Sequence, residues 1–301
     1  MKRHAFALIT VLWVLVAIGS IAAAGAAAGF DASAAAKNRI NATRAHWRAN
    51  ACADRARFVI DATLGEARHE SRDSLWRMMN AIVDVTPNVT DDGCVVGLVS
   101  SGMQLDVNSA TEMELNRLFA AAAVDSEEFL SAALLDWIDA NDEPRNLGAE
   151  RPTYEGLDRR SPRNGPIAAA SELRYVRGFE RLGVDSLLGV DSARVSLATA
   201  PLAVLAVLPG FTSEVLGRIE EWRLMGRQIT SLHALAGSVS AGAAAGLMAS
   251  FPEITRRSTI DPEWWTVMAT GTAGYPPITS TVEIRLTRTL SRAALIRRRS
   301  W

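Results

Sequence analysis

The chain has 301 residues, 49% hydrophobic but only 6% aromatic, with 32 basic and 33 acidic side chains and a formal charge of −1. That length allows a sizeable core split between two lobes with an Ala-, Leu- and Val-rich interior, and the near balance of charge excludes a global field that gathers nucleic acid. The two cysteines, Cys52 and Cys94, show no CxxC or Cys/His spacing, so zinc is not expected. They are either a disulfide, contributing about 3–4 kcal/mol by restricting the unfolded chain, or two buried, inert thiols.

Phe6–Phe30 runs for twenty-five residues without a charge, between Lys2-Arg3-His4 and Asp31. A helix of that length, at about 1.5 Å per residue, crosses a hydrocarbon layer of about 30 Å with some tilt. Three readings are open: a signal-anchor or core helix, a secretory signal cut near the small residues Ala22–Ala28, and a short basic leader removed ahead of a retained helix. In the third, residues 1–5 are the leader, cleavage falls between Ala5 and Phe6, and Lys2 and Arg3 are its basic residues. That junction resembles a type IV prepilin leader, with Ala5 where Gly is usual.

The helix is predicted to continue to about Leu64, since Pro is absent there and Gly appears only at Gly65. Ile40, Trp47, Ala51, Phe58 and Ala62 recur at steps of seven and four, which predicts a packed apolar face. Gly25 and Gly29 form a small-xxx-small pair that admits a second helix or merely softens this one. Val- and Ile-rich runs at Ala81–Thr86 and Cys94–Val99 read as strands around a turn at Pro87–Gly93, with a weaker strand at Gln104–Val107. A helix capped by Asn108 or Ser109, with Glu112 near its start, follows, then Ser126–Ile138 capped by Ser126. Asp139–Pro166 reads as a loop. Ala168–Phe179, Pro201–Leu208, Thr212–Met225 and Ser231–Phe251 read as helices. Strand signals return at Trp264–Ala269, Thr279–Leu286 and Arg292–Arg297.

Strands on both sides of a helical block predict an α+β fold: a long N-terminal helix and a small antiparallel sheet carrying a large inserted α-helical domain. The expected divisions are 1–5 leader, 6–30 transmembrane helix, 31–70 extension of that helix, 71–105 first part of the β domain, 106–251 inserted helical domain and 252–301 remainder of the β domain. The six arginines of Ile284–Trp301 are expected on the exposed face of an edge strand.

Val195–Arg223 has the form of a helix-hairpin-helix, with Leu208-Pro209-Gly210 as the hairpin and Thr212 or Ser213 capping the next helix. Asp106–Phe119 looks like half of the same pattern. Such hairpins either bind DNA phosphates or serve in packing, and the acidic neighbours Glu214, Glu220 and Glu221 favour packing. No HExxH, GxSxG, P-loop or GxGxxG pattern is present, so no enzyme class is indicated.

Leu135–Glu150 reads LDWIDANDEPRNLGAE, Tyr154 follows, and Pro166–Gly178 reads PIAAASELRYVRG. With the N-terminal apolar helix and the hairpin, this ordered set resembles the K-type minor pseudopilins of the bacterial type II secretion system. The GAE element departs from the family in continuing Arg151-Pro152-Thr153-Tyr154. The resemblance implies a non-enzymatic subunit at the pseudopilus tip that initiates or caps the filament and aids export of folded proteins. It implies an inner-membrane, single-pass location with the C-terminal domain in the periplasm. It implies partnership with I- and J-type minor pseudopilins, the pseudopilus, the prepilin peptidase and the secretion platform. Other pseudopilins place a Glu five residues into the retained helix, where Thr10 stands here. A carboxylate in lipid needs a partner and Thr10 does not, which suits a terminal subunit. Family members bind calcium, and Asp136, Asp139, Asp142, Glu143 and Glu150 are the hard oxygen donors available for a structural Ca²⁺. The alternative reading is a membrane-anchored DNA-binding protein using the hairpins.

Overall fold

The computed structural model describes residues 2–84, 93–125, 127–180, 186–190, 193–290 and 292–300. In chain order the elements are α1 (Lys2–Glu66), α2 (His69–Arg77), α3 (Met79–Asp84), β1 (Cys94–Ser100), β2 (Leu105–Asp106), α4 (Glu112–Ala121), α5 (Glu127–Ile138) and α6 (Arg151–Gly156). A 3-10 helix at Ala170–Tyr175, β3 (Leu188–Gly189), β4 (Val195–Ser196), α7 (Leu202–Leu205), α8 (Ser213–Leu224) and α9 (Leu232–Ala236) come next. Last are α10 (Ala241–Ala249), α11 (Phe251–Arg257), β5 (Ser258–Thr259), β6 (Trp264–Ala273), β7 (Ile278–Arg288) and β8 (Ala293–Ser300).

The fold is α+β. One antiparallel sheet has the order β1-β6-β7-β8, so β1 and β6 pair although the whole helical block lies between them in the chain. Their register runs from Cys94 opposite Gly271 to Ser100 opposite Trp265. The predicted strand at Gln104–Val107 does not join this sheet. Its Leu105–Asp106 pairs in parallel with β3, inside the helical block.

Helix α1 is unbroken over 65 residues, as expected of a stretch without proline. Its N-terminal part is long and apolar enough to cross a membrane, with a window of mean hydropathy 2.2. Lys2, Arg3, Ala5, Phe6 and Thr10 lie in this helix by their backbone, and the placement of their side chains is not described.

From Asn41 onward α1 lies on the sheet, but not by its predicted face. Ile40, Trp47 and Phe58 are 53%, 67% and 72% exposed. The buried stripe is Asn41, Ala45, Ala49, Cys52, Ala53, Ala56, Ile60 and Leu64. The reason is closeness. A Cβ on Gly271 of β6 would run into the Ala45 carbonyl oxygen, and one on Gly274 would strike the Asn41 side chain. Helix backbone therefore rests on strand backbone, and only small residues fit between them. Large apolar residues are turned outward. A disulfide between Cys52 and Cys94 ties α1 to β1, with the Cα atoms 6.7 Å apart.

Other expectations are corrected. Ala81–Thr86, predicted as a strand, is helical through Asp84 as part of α3; Val85 and Thr86, the turn through Asp92 and the cap Ser126 lie outside the described residues. Short β-branched runs take either form, and here the run packs beneath α1 through Met79 and Ile82. Helix α4 is capped by Thr111, whose N–H donates to Glu114 Oε2 at 2.8 Å, and not by Asn108 or Ser109. Asn108 instead exchanges two hydrogen bonds with the Ile167 backbone. Ser231–Phe251 is two helices, because Ser240 caps a new one. The loop Asp139–Pro166 contains α6. Of the six C-terminal arginines the edge strand β8 carries Arg297, Arg298 and Arg299, while Arg285 and Arg288 lie on β7, and ion pairs join Arg297 to Glu283 on β7, Arg298 to Asp54 on α1 and Arg288 to Asp73 on α2.

The helical block has its own core, in which Phe119, Leu134, Trp137, Tyr154, Leu173 and Leu205 are fully buried. The second core lies between α1, α2, α3 and the sheet and holds Trp76, Met79, Trp265, Val267 and Ile284. Trp265 Nε1 donates to the Trp76 carbonyl and Trp76 Nε1 to that of Pro262, both at 2.8 Å, so neither buried indole leaves a donor unpaired.

Candidate functional site

The residues of the LDWID…GAE…Y…SELRxVxG motif converge at the C-terminal end of α5. Leu134 and Trp137 face the block's core, since α5 alternates its apolar residues with a helical period. Trp137 meets Tyr154 edge to face at 5.3 Å and donates from Nε1 to Glu172 Oε1 at 3.3 Å. The Tyr154 hydroxyl accepts from the Arg177 N–H at 3.0 Å, and burial raises its pKa. Gly178 adopts φ +91, and a Cβ there would meet Phe129 and Leu130. The motif residues thus hold one another in place.

Asp136 is the centre of the acidic part. It is 0% exposed and accepts from the Ala149 N–H at 2.8 Å and from the Arg145 N–H at 3.2 Å. Gly148 has no side chain for a plain reason: a Cβ would collide with Asp136 Oδ2. The Arg145 guanidinium reaches Asp136 at 2.7 Å and also pairs with Asp139. Burial works against its charge, but these two carboxylates outweigh it and raise its pKa. Arg145 was not among the expected site residues. Its signal was there: it is the arginine inside the acidic loop, one of only two in the carboxylate-rich Asp106–Glu150.

Of the five candidate ligands, the structure brings three together. Asp136, Asp139 and Glu150 offer oxygens that all lie within 4.8 Å of one another. Asp142 and Glu143 do not join them. The Asp142 carboxylate is more than half exposed and accepts from Asn164 Nδ2 at 2.8 Å, and Glu143 is exposed. Glu150 is 1% exposed, and both its carboxylate oxygens are buried without a hydrogen-bond partner. Burial, then the charges of Asp136, Asp139 and Asp142, push its pKa up to about 7. An orphaned, desolvated carboxylate beside two more is a donor set of the kind a hard divalent cation takes. The residues present therefore fit Ca²⁺ chemistry through Asp136, Asp139 and Glu150.

The hairpin Leu208-Pro209-Gly210 is a packed turn. Gly210 adopts φ +79, and a Cβ on it would come 2.9 Å from the Gly246 carbonyl oxygen of α10. Leu208 is buried, and Thr212 caps α8. Helix α10 thus covers the glycine that would approach a phosphate.

Comparison with known proteins adds a partial likeness. A crystal structure of the GspK-GspI-GspJ complex from the enterotoxigenic Escherichia coli Type 2 Secretion System contains a chain 15% identical to this one, with a TM-score of 0.47, over 69% of this chain and 79% of that one. No curated protein matches the sequence. The model of the family described as type II secretion system, protein K, matches residues 88–190, about a third of the chain and the region where the motif residues converge. Over residues 88–190 this chain is similar to the type II secretion system protein K family.

Proposed function

We propose that this chain is a minor pseudopilin standing at the tip of a type II secretion pseudopilus, without catalytic activity, helping to start or cap the filament that moves folded proteins across the outer membrane. The observation that carries the reading is the protein K match centred on the knot of Asp136, Trp137, Gly148 and Tyr154. Helix α1 supports it: one uninterrupted element joins a candidate membrane anchor to the sheet lobe. The partners would be I- and J-type minor pseudopilins, counterparts of the GspI and GspJ that accompany GspK in the similar complex. They would pack on the outward face of α1, where Ile40, Trp47 and Phe58 are bare. The folded lobes would lie in the periplasm, where the disulfide is stable.

The test is the mature N-terminus. The full chain, produced with a prepilin peptidase and extracted from membranes, is expected to begin at Phe6 by intact mass. A chain beginning near Ala26 overturns the reading.

Asp136, Asp139 and Glu150 would hold Ca²⁺, which would neutralise the three carboxylates and fix the loop to α5. Arg145 would then yield part of its contact. At a free calcium about 100 times the dissociation constant, binding would stabilise the fold by about 2.7 kcal/mol. Thermal melting with calcium and with chelator is expected to show that shift in the native chain and to lose it in Glu150→Gln. An identical midpoint in both conditions rules the site out.

A further inference from the structure

The C-terminal end of α8 and the turn between α2 and α3 meet where the two lobes join, around a cavity of about 220 Å³. Arg77, Arg223, Arg227 and Gln228 line it with Met78 and Ile229, and none of its described lining residues is acidic. Arg77 is neutralised: it pairs with Asp261 and donates to Gln228 Oε1. Ser74 donates to the same amide oxygen at 3.3 Å, which leaves the Gln228 amide N–H groups pointing to no acceptor among the described residues. Arg223 is partly buried and donates from Nη2 to the Leu197 carbonyl at 3.0 Å, while its Nε is buried without an acceptor. No carboxylate pairs with it among the described residues, and burial lowers its pKa. Arg227 lies over the Trp222 ring at 4.1 Å and is likewise without a carboxylate among the described residues.

Arg223, Arg227 and the Gln228 amide therefore line one cavity, and neither arginine has a carboxylate partner among the described residues. Keeping a half-buried guanidinium unpaired is costly, and an incoming carboxylate relieves that cost with a charge-assisted bond. Met78, which lines the cavity, is 53% exposed, and Leu224 and Met225, which follow Arg223 in the chain, are 85% and 67% exposed. Exposed large apolar residues mark interaction surfaces, and arginine is enriched at the hot spots of protein interfaces. A nucleic-acid backbone would find no use for those apolar residues.

We propose that this cavity is a docking site for a partner polypeptide, which inserts one acidic side chain between Arg223 and Arg227 and lays flanking apolar residues on Leu224, Met225 and Met78. The partner is of acidic–apolar chemistry, and the site stands whether or not the chain caps a filament.

The test uses the full chain in nanodiscs and the acetylated, amidated pentapeptide Ala-Leu-Glu-Leu-Ala, followed by calorimetry. The Glu peptide is expected to bind about tenfold more tightly than its Gln counterpart. Arg223→Gln and Arg227→Gln are each expected to remove most of that difference, and salt at about 0.5 M to shrink it. Arg227 is exposed, so Arg227→Gln carries the test if Arg223→Gln fails to fold. Leu224→Ser with Met225→Ser is expected to weaken both peptides about equally. Equal affinity of the two peptides, no binding of either, unchanged binding by Arg227→Gln, or full displacement of the peptide by equimolar inorganic phosphate each overturns the proposal.

Discussion

The helical block and the seat of α1 on the sheet solve the same problem with opposite side chains. The block fills its interior with Phe119, Trp137, Tyr154 and leucines. Along α1 from Asn41 to Ala56 the interior is alanine, cysteine and one asparagine, and Gly271 of β6 and Gly274 just after it lie directly beneath. In the first region burial follows side-chain size. In the second it follows backbone approach, and the large residues Trp47 and Phe58 go to the outside. A hydrophobic stripe is therefore evidence of burial only where the neighbour leaves room for it.

Paired substitutions break or sharpen this comparison. Trp137→Ala empties the centre of the block and removes the contacts to Tyr154 and Glu172. A loss of about 4 kcal/mol is expected in denaturant unfolding of the full chain in detergent. Cys52→Ser acts on the other region by freeing a loop of 42 residues, for a loss of about 4 kcal/mol, or slightly less, in the same measurement. Gly271→Val forces a side chain between β6 and α1. It is expected to cost about 2–3 kcal/mol by overpacking, with proteolysis appearing first in the sheet lobe. An unchanged midpoint for Gly271→Val would mean that α1 does not lie against β6 as described. Trp47→Ala is the smallest: an exposed tryptophan is expected to change the stability of the isolated chain by less than about 0.5 kcal/mol. A large loss there would show that this face is covered within the chain itself.

The binding side of the same comparison concerns α1 as well. If its outward stripe receives neighbouring pseudopilins, Trp47→Ala is expected to leave melting alone yet weaken co-purification with an I- and J-type pair. Failure to separate those two readouts would remove the stripe from the proposed interface.

Much was legible in linear order. The uncharged run Phe6–Phe30 and the absence of proline sufficed for a long first helix, because both act locally. Trp264–Ala269 and Thr279–Leu286 sit inside β6 and β7, since alternation is a local property of a half-buried strand. The motif residues were legible as a set, and so was the acidic loop. What decided among the acids was not local. Asp136 and Glu150 are fourteen residues apart in sequence, and only the return of the chain through Gly148 into α6 brings them together, while Asp142 stays in solvent. The unclaimed arginines of the α8 end were equally invisible, because a missing counterion is a fact about neighbours in space.

The sequence by itself determined the apolar N-terminal helix, the mix of helix and strand, and the likeness of residues 88–190 to the protein K family, all of which rest on composition and short-range spacing. Tertiary structure alone decided which face of α1 is buried, which three carboxylates meet, and where two arginines have no carboxylate among the described residues. Each of these depends on how closely two distant backbones approach, and that distance is set by the packing of both.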